Sequence, residues 1–135
     1  MTRAILLPVG RDWFALPPAA LQEVVAAPAV TEVPAARPTV RGLFNVRGQI
    51  LPLLDTGALL GLEAPAGHPF AVVVQSAHGP AGLAVTGLPE PAELGWLVGP
   101  TRARGTVGAY AAGERIAVML DPTALVAQLH RPRGR

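Results

Sequence analysis

The chain contains no cysteine and no lysine. The first absence rules out disulfides, a thiol nucleophile and thiolate metal sites. The second removes the phosphate-loop lysine and Schiff-base chemistry. Serine and asparagine occur once each, as Ser76 and Asn45. His68, His78 and His130 are too widely spaced for a compact metal motif. Ser76 has His78 nearby but lies in no G-x-S-x-G elbow, so a catalytic triad is not indicated. No apolar run approaches the roughly 20 residues that cross a bilayer. The stretch Ala4–Val9 is short and interrupted by Pro8, and neither end carries a targeting or lipidation motif. The expectation is a cytoplasmic protein without cofactor, catalytic site or direct membrane insertion.

What remains is apolar and heavily punctuated. Half of the 135 residues are hydrophobic and only 15% are charged, which is ample material for a core. Fifteen prolines and fifteen glycines divide the chain into short elements. The sequence pI of about 10.4 would fit a nucleic-acid binder. However, residues 1–130 hold eight arginines and nine acidic groups, a net charge of −1. The basicity belongs to Arg131, Arg133 and Arg135, a tail expected to be flexible.

The punctuation predicts a β-rich chain. Arg3–Val9 and Trp13–Leu16 read as a hairpin. Leu21–Ala27 and Val30–Val33 are further strand candidates, and Pro34–Val40 is a Pro-rich connection. Leu43–Val46 and Gln49–Leu54 flank Arg47-Gly48, where Gly48 suits the positive φ of a tight turn. Asp55 or Thr56 caps a short helix, Gly57–Leu60. Residues 62–69 form a polar midpoint. Phe70–Gln75 and Ala81–Leu88 read as strands, Pro89–Gly95 as irregular, and Trp96–Val98 as a short run. Thr106–Ala111 and Arg115–Leu120 form a second hairpin, followed by a helix over Pro122–Leu129 capped by Asp121. Each half therefore ends in a hairpin and an Asp-initiated helix, which predicts two similar subdomains within one domain spanning residues 1–130.

The segment Arg41–Asp55, RGLFNVRGQILPLLD, concentrates the unusual chemistry. Arg47 lies among Phe44, Val46, Ile50 and Leu51. A guanidinium in such surroundings needs a carboxylate or several carbonyls, because an unpaired buried charge costs several kcal/mol. Glu23 is the candidate partner. The pair either pins the hairpin or shapes a binding surface. Asn45 bonds backbone in a bend or contacts a partner. Gly42 and Gly48 read as turn residues, and Pro52 as an edge-strand residue. Leu21, Val24, Val25, Val30 and Val33 cannot all face inward, so they are core or partly an interface.

The order and spacing of Leu21-Gln22-Glu23-Val24-Val25, Gly42-x-x-Asn45-x-Arg47-Gly48-Gln49-Ile50-x-Pro52-x-x-Asp55 and Leu120-Asp121 resemble the CheW-like family, from about residue 4 to 129. The resemblance implies an all-β fold of two SH3-like five-stranded barrels sharing a hydrophobic interface. It implies a non-catalytic adaptor in chemotaxis signal transduction. Its partners would be the cytoplasmic hairpin of a chemoreceptor and the regulatory domain of a CheA-type histidine kinase. Carried onto this chain, the receptor groove would be lined by Leu21, Glu23, Gly42, Arg47, Val72 and Val85, and the kinase side by Val30 and Val33. Asn45, Gly48, Pro52 and Asp55 would be the structural motif. Thr86 stands near a position where the family commonly has Asp. A twitching-type pathway is an option within the family. The competing reading is a small-barrel nucleic-acid binder using Arg102, Arg104 and the tail.

Overall fold

A computed structural model describes residues 2–62, 67 and 69–130. The expected tail, 131–135, lies outside the described residues. Eleven strands are seen among those described: β1 (Thr2–Val9), β2 (Asp12–Leu16), β3 (Leu21–Ala26), β4 (Val40–Val46), β5 (Gln49–Leu54), β6 (Phe70–Val74), β7 (Ala81–Val85), β8 (Glu90–Leu94), β9 (Leu97–Gly99), β10 (Thr106–Ala112) and β11 (Arg115–Leu120). Two helices, α1 (Thr56–Leu59) and α2 (Pro122–Ala127), follow β5 and β11. Each is capped by the aspartate before it: Ala58 N–H donates to Asp55 Oδ1 at 3.0 Å, and Ala124 N–H to Asp121 Oδ1 at 3.2 Å.

The strands form two sheets, in the orders β8-β1-β2-β11-β10-β9 and β3-β6-β7-β5-β4. Each closes through a bent segment. In the first, Gly95 N–H donates to Ala111 O and Ala111 N–H to Trp96 O, so β8 runs on through Gly95 into β9 and wraps onto β10. Counted as one bent strand, β8–β9 makes this a five-stranded barrel. In the second, Thr31 exchanges backbone bonds with Leu43 at 2.8 and 2.9 Å, joining the chain after β3 back to β4. The fold class is all-β with two small barrels, as expected. Closure leaves few free ladder edges.

Two readings of the local sequence are corrected. Pro89–Gly95 contains a regular strand, β8, paired with β1. Its Pro91 lies opposite Ile5 on a strand with only one ladder neighbour over that stretch, where a missing N–H is tolerated. Val30–Val33 is not a strand: Thr31 makes an isolated bridge and the prolines around it stop pairing. The midpoint chosen at 62–69 falls between α1 and β6, and residues 63–66 and 68 lie outside the described residues. The chain instead crosses from the first barrel to the second over residues 17–20 and returns over residues 86–89.

The two-subdomain echo holds in detail. The same sequence step carries β4 onto β10, β5 onto β11 and Asp55 onto Asp121. It carries the bulge glycine Gly42 (φ 150°) onto Gly108 (φ 154°), and the bond Asp55 N–H to Thr39 O onto Asp121 N–H to Gly105 O. Three cores result. Leu6, Leu94 and Ala117 fill the first barrel, and Phe44, Leu53 and Val73 the second. Leu7, Leu16, Leu54, Val72, Leu83, Val85, Leu120 and Leu125 fill the space between barrels and helices.

Candidate functional site

The β4–β5 hairpin carries Arg47, one of three non-glycine residues with positive φ among those described, beside Ala27 and Ala35. Val46 lies opposite Gln49, leaving Arg47 and Gly48 as a two-residue turn. Their φ angles are 53° and 86°. Positive φ at both positions matches the turn whose twist suits a hairpin. Glycine adopts it freely, whereas a residue with a Cβ loses about 1–2 kcal/mol. Two contacts hold the turn. Asn45 Oδ1 accepts the Gly48 N–H at 2.9 Å. Arg47 Nε lies 3.3 Å from Glu23 Oε1. Barrel closure between the chain after β3 and β4 is what brings Glu23 beside the turn.

The environment of Arg47 is a correction to the sequence reading. Its side chain is 83% exposed, and that of Glu23 31%. The hydrophobic neighbours alternate: Phe44 and Leu51 point into the barrel, while Leu43 (37% exposed) and Ile50 (58%) point out with Asn45. The buried guanidinium belongs to Arg41. Its side chain is 15% exposed, and its Nε sits 3.4 Å from Asp55 Oδ2 (side chain 11%). Asp55 thus caps α1 with one oxygen and meets Arg41 with the other. The register placing Val40 opposite Leu54 brings the pair together, and that register was the available signal.

The other expected site residues separate. Val72 (0% exposed) and Val85 (1%) lie in the inter-barrel core and present no surface, because both faces of β6 and β7 are covered. Leu21 and Val30 are half-buried against cores, and Val33 is 39% exposed. Gly42 is buried and is not a turn residue. A Cβ there would lie 2.3 Å from Thr31 O, so the glycine permits the barrel to close. Pro52 lies on an interior strand, but β5 pairs with β7 only at Leu53 and Leu54, so Pro52 sits where that neighbour is absent. Thr86 ties the barrels: its N–H and hydroxyl both donate to Pro8 O, and its Oγ1 accepts from Gly10 N–H.

The family assignment comes from the whole chain. The CheW-like domain matches residues 3–130. The chain belongs to the CheW-like family. Its fold is similar to the crystal structure of the scaffolding protein TtCheW from Thermoanaerobacter tengcongensis, with a TM-score of 0.77, 99% of this chain and 95% of that chain covered, and 16% identity. It is also similar to Protein PilI of Pseudomonas aeruginosa, 36% identical over 55 residues. That match covers 41% of this chain and 31% of PilI. Among the described residues, no helix is long and apolar enough to cross a membrane, and no group of three His, Asp or Glu gathers as a metal site.

Sequence reasoning missed a second feature, on the first barrel. Arg115 stacks over Trp13, 4.1 Å from the ring centroid, and its Nη2 lies 2.5 Å from Glu90 Oε1. The alternation in β11 put Arg115 at the surface, but its partners come from strands distant in sequence.

Proposed function

We propose that this CheW-like protein is a non-catalytic adaptor that joins a chemoreceptor's cytoplasmic hairpin to the regulatory domain of a CheA-type histidine kinase. The observation that carries this is Arg47. An exposed arginine is held in a left-handed turn that glycine or asparagine would fill with less strain, and it is aimed by Glu23. Strain kept at an exposed position marks a functional demand on the side chain. Leu43, Ile50 and Val24 (37% exposed) add apolar contact area on the same three strands. In this reading the receptor meets Glu23, Arg47 and the hairpin. The kinase meets the side carrying Val30 and Val33. Receptor state then biases the kinase by coupled equilibria, with avidity in an array strengthening individually modest contacts.

The test uses isothermal titration against a receptor cytoplasmic fragment and, separately, against the kinase regulatory domain. Arg47→Ala or Glu23→Ala should weaken receptor binding about tenfold, or about 1.4 kcal/mol, and leave kinase binding within twofold. Wild-type affinity for both partners in both variants would end the assignment. The similarity to PilI leaves the pathway, flagellar or twitching-type, to be decided by the receptor and kinase genes beside this one.

A further inference from the structure

Among the described residues, α1 has four residues and its counterpart α2 has six, and a cleft lies beside the shorter helix. After β11, α2 continues into a 3₁₀ turn, Gln128–His130, and Arg37 Nη1 donates to Gln128 O at 2.8 Å. The step that relates the repeats carries Gln128 onto Leu62 and Arg37 onto Ala103, beside Arg102. There α1 is only four residues long. No helical carbonyl meets Arg102, which makes no side-chain hydrogen bond or ion pair among the described residues. An open cleft of about 610 Å³ lies in that position. Phe14, Leu60, Leu62 and Val118 give it an apolar lining. Arg11, Arg102 and Arg115 supply three guanidiniums, with Asp12 as the acidic member. Arg11, like Arg102, has no side-chain partner among the described residues. Arg115 is oriented in advance by Trp13 and Glu90.

We propose that this cleft binds an acidic peptide segment of a protein partner, with an apolar side chain seated on the lining and carboxylates on Arg11 and Arg102. Guanidiniums favour carboxylates through paired N–H donors. An apolar centre with a charged rim is the usual anatomy of a peptide site. The neutral polar groups do not favour a small polar ligand. Thr101 and Thr106 hydroxyls bond each other at 2.6 Å, and Thr106 also bonds Ala103 O, so they are already satisfied. The site shares no residue with the Glu23–Arg47 surface and does not depend on that assignment.

Trp13 is a built-in reporter. The chain has two tryptophans, and Trp96 is 71% exposed, so Trp96→Phe isolates the Trp13 signal without disturbing a core. The probe is a nine-residue peptide of one Leu and one Phe flanked by Asp and Glu, titrated beside its Asn/Gln twin. The expected result is a saturable change in Trp13 emission with the acidic peptide. The twin should bind at least tenfold more weakly, and Arg11→Gln combined with Arg102→Gln should lose at least tenfold at unchanged Tm. Arg47→Ala should leave the titration unchanged, which separates this site from the receptor surface. Equal binding of the two peptides, no saturable response to the acidic one, or indifference to the double substitution would overturn the proposal. So would inorganic phosphate or citrate binding as tightly as the peptide, which would make this a small-anion site.

Discussion

At the scale of single residues, strain and function separate at position 47. Arg47→Asn should keep or raise stability by up to about 1 kcal/mol, because asparagine tolerates positive φ better. The same substitution should lose receptor affinity as fully as Arg47→Ala. Chemical denaturation beside a binding titration checks both. Gly42→Ala should behave oppositely. With φ at 150° and a Cβ 2.3 Å from Thr31 O, it should cost at least about 2 kcal/mol and loosen the bridge that closes the second barrel. Gly48→Ala meets open space and bears only the turn penalty, about 1–2 kcal/mol. Spacing alone made the Glu23–Arg47 pair and the Asn45 bend legible. It misjudged the exposure of Arg47, because a turn tip between two apolar strands looks buried in sequence and is not.

At the scale of elements, the two Asp-capped helices give a controlled comparison. Asp121 is exposed and acts as a cap, so Asp121→Ala should cost about 1 kcal/mol. Asp55 also faces the mostly buried Arg41, so Asp55→Ala should cost roughly 2–4 kcal/mol. Asp55→Asn, which retains a capping oxygen, should recover part of the difference. Thermal melts of the three variants decide it, and equal losses at both positions would mean that Arg41 contributes nothing through Asp55. Both hairpins and both caps were readable from Gly, Asp and Pro placement, because those signals are local. β8 was not, since its prolines resemble a loop and only pairing with β1 makes it a strand.

At the scale of the whole molecule, the barrels share their largest core, so they should unfold together. The first barrel is built from both ends of the described chain and the second from its middle. Thr86 and the Leu7–Leu83–Leu120 core cross the junction. Leu83→Ala should cost about 2–5 kcal/mol. It should lower hydrogen-exchange protection equally in β6 and β11, as one cooperative unit. Protection lost only in the second barrel would show independent subdomains. The shared core also accounts for Val72 and Val85: side chains expected in a groove are the material that joins the barrels.

The sequence by itself determined the local grammar: short strands, glycine turns, aspartate caps, the repeated hairpin–helix pattern and the motif that marks the family. Each follows from propensities and spacings acting over a few residues. Tertiary structure decided what long-range closure controls. It set which strands meet in each barrel, which valines are enclosed, which arginine is buried and which is exposed, and where a cleft lies beside the shorter helix. Burial and charge pairing depend on neighbours far away in sequence, and only the closed barrels bring those neighbours together.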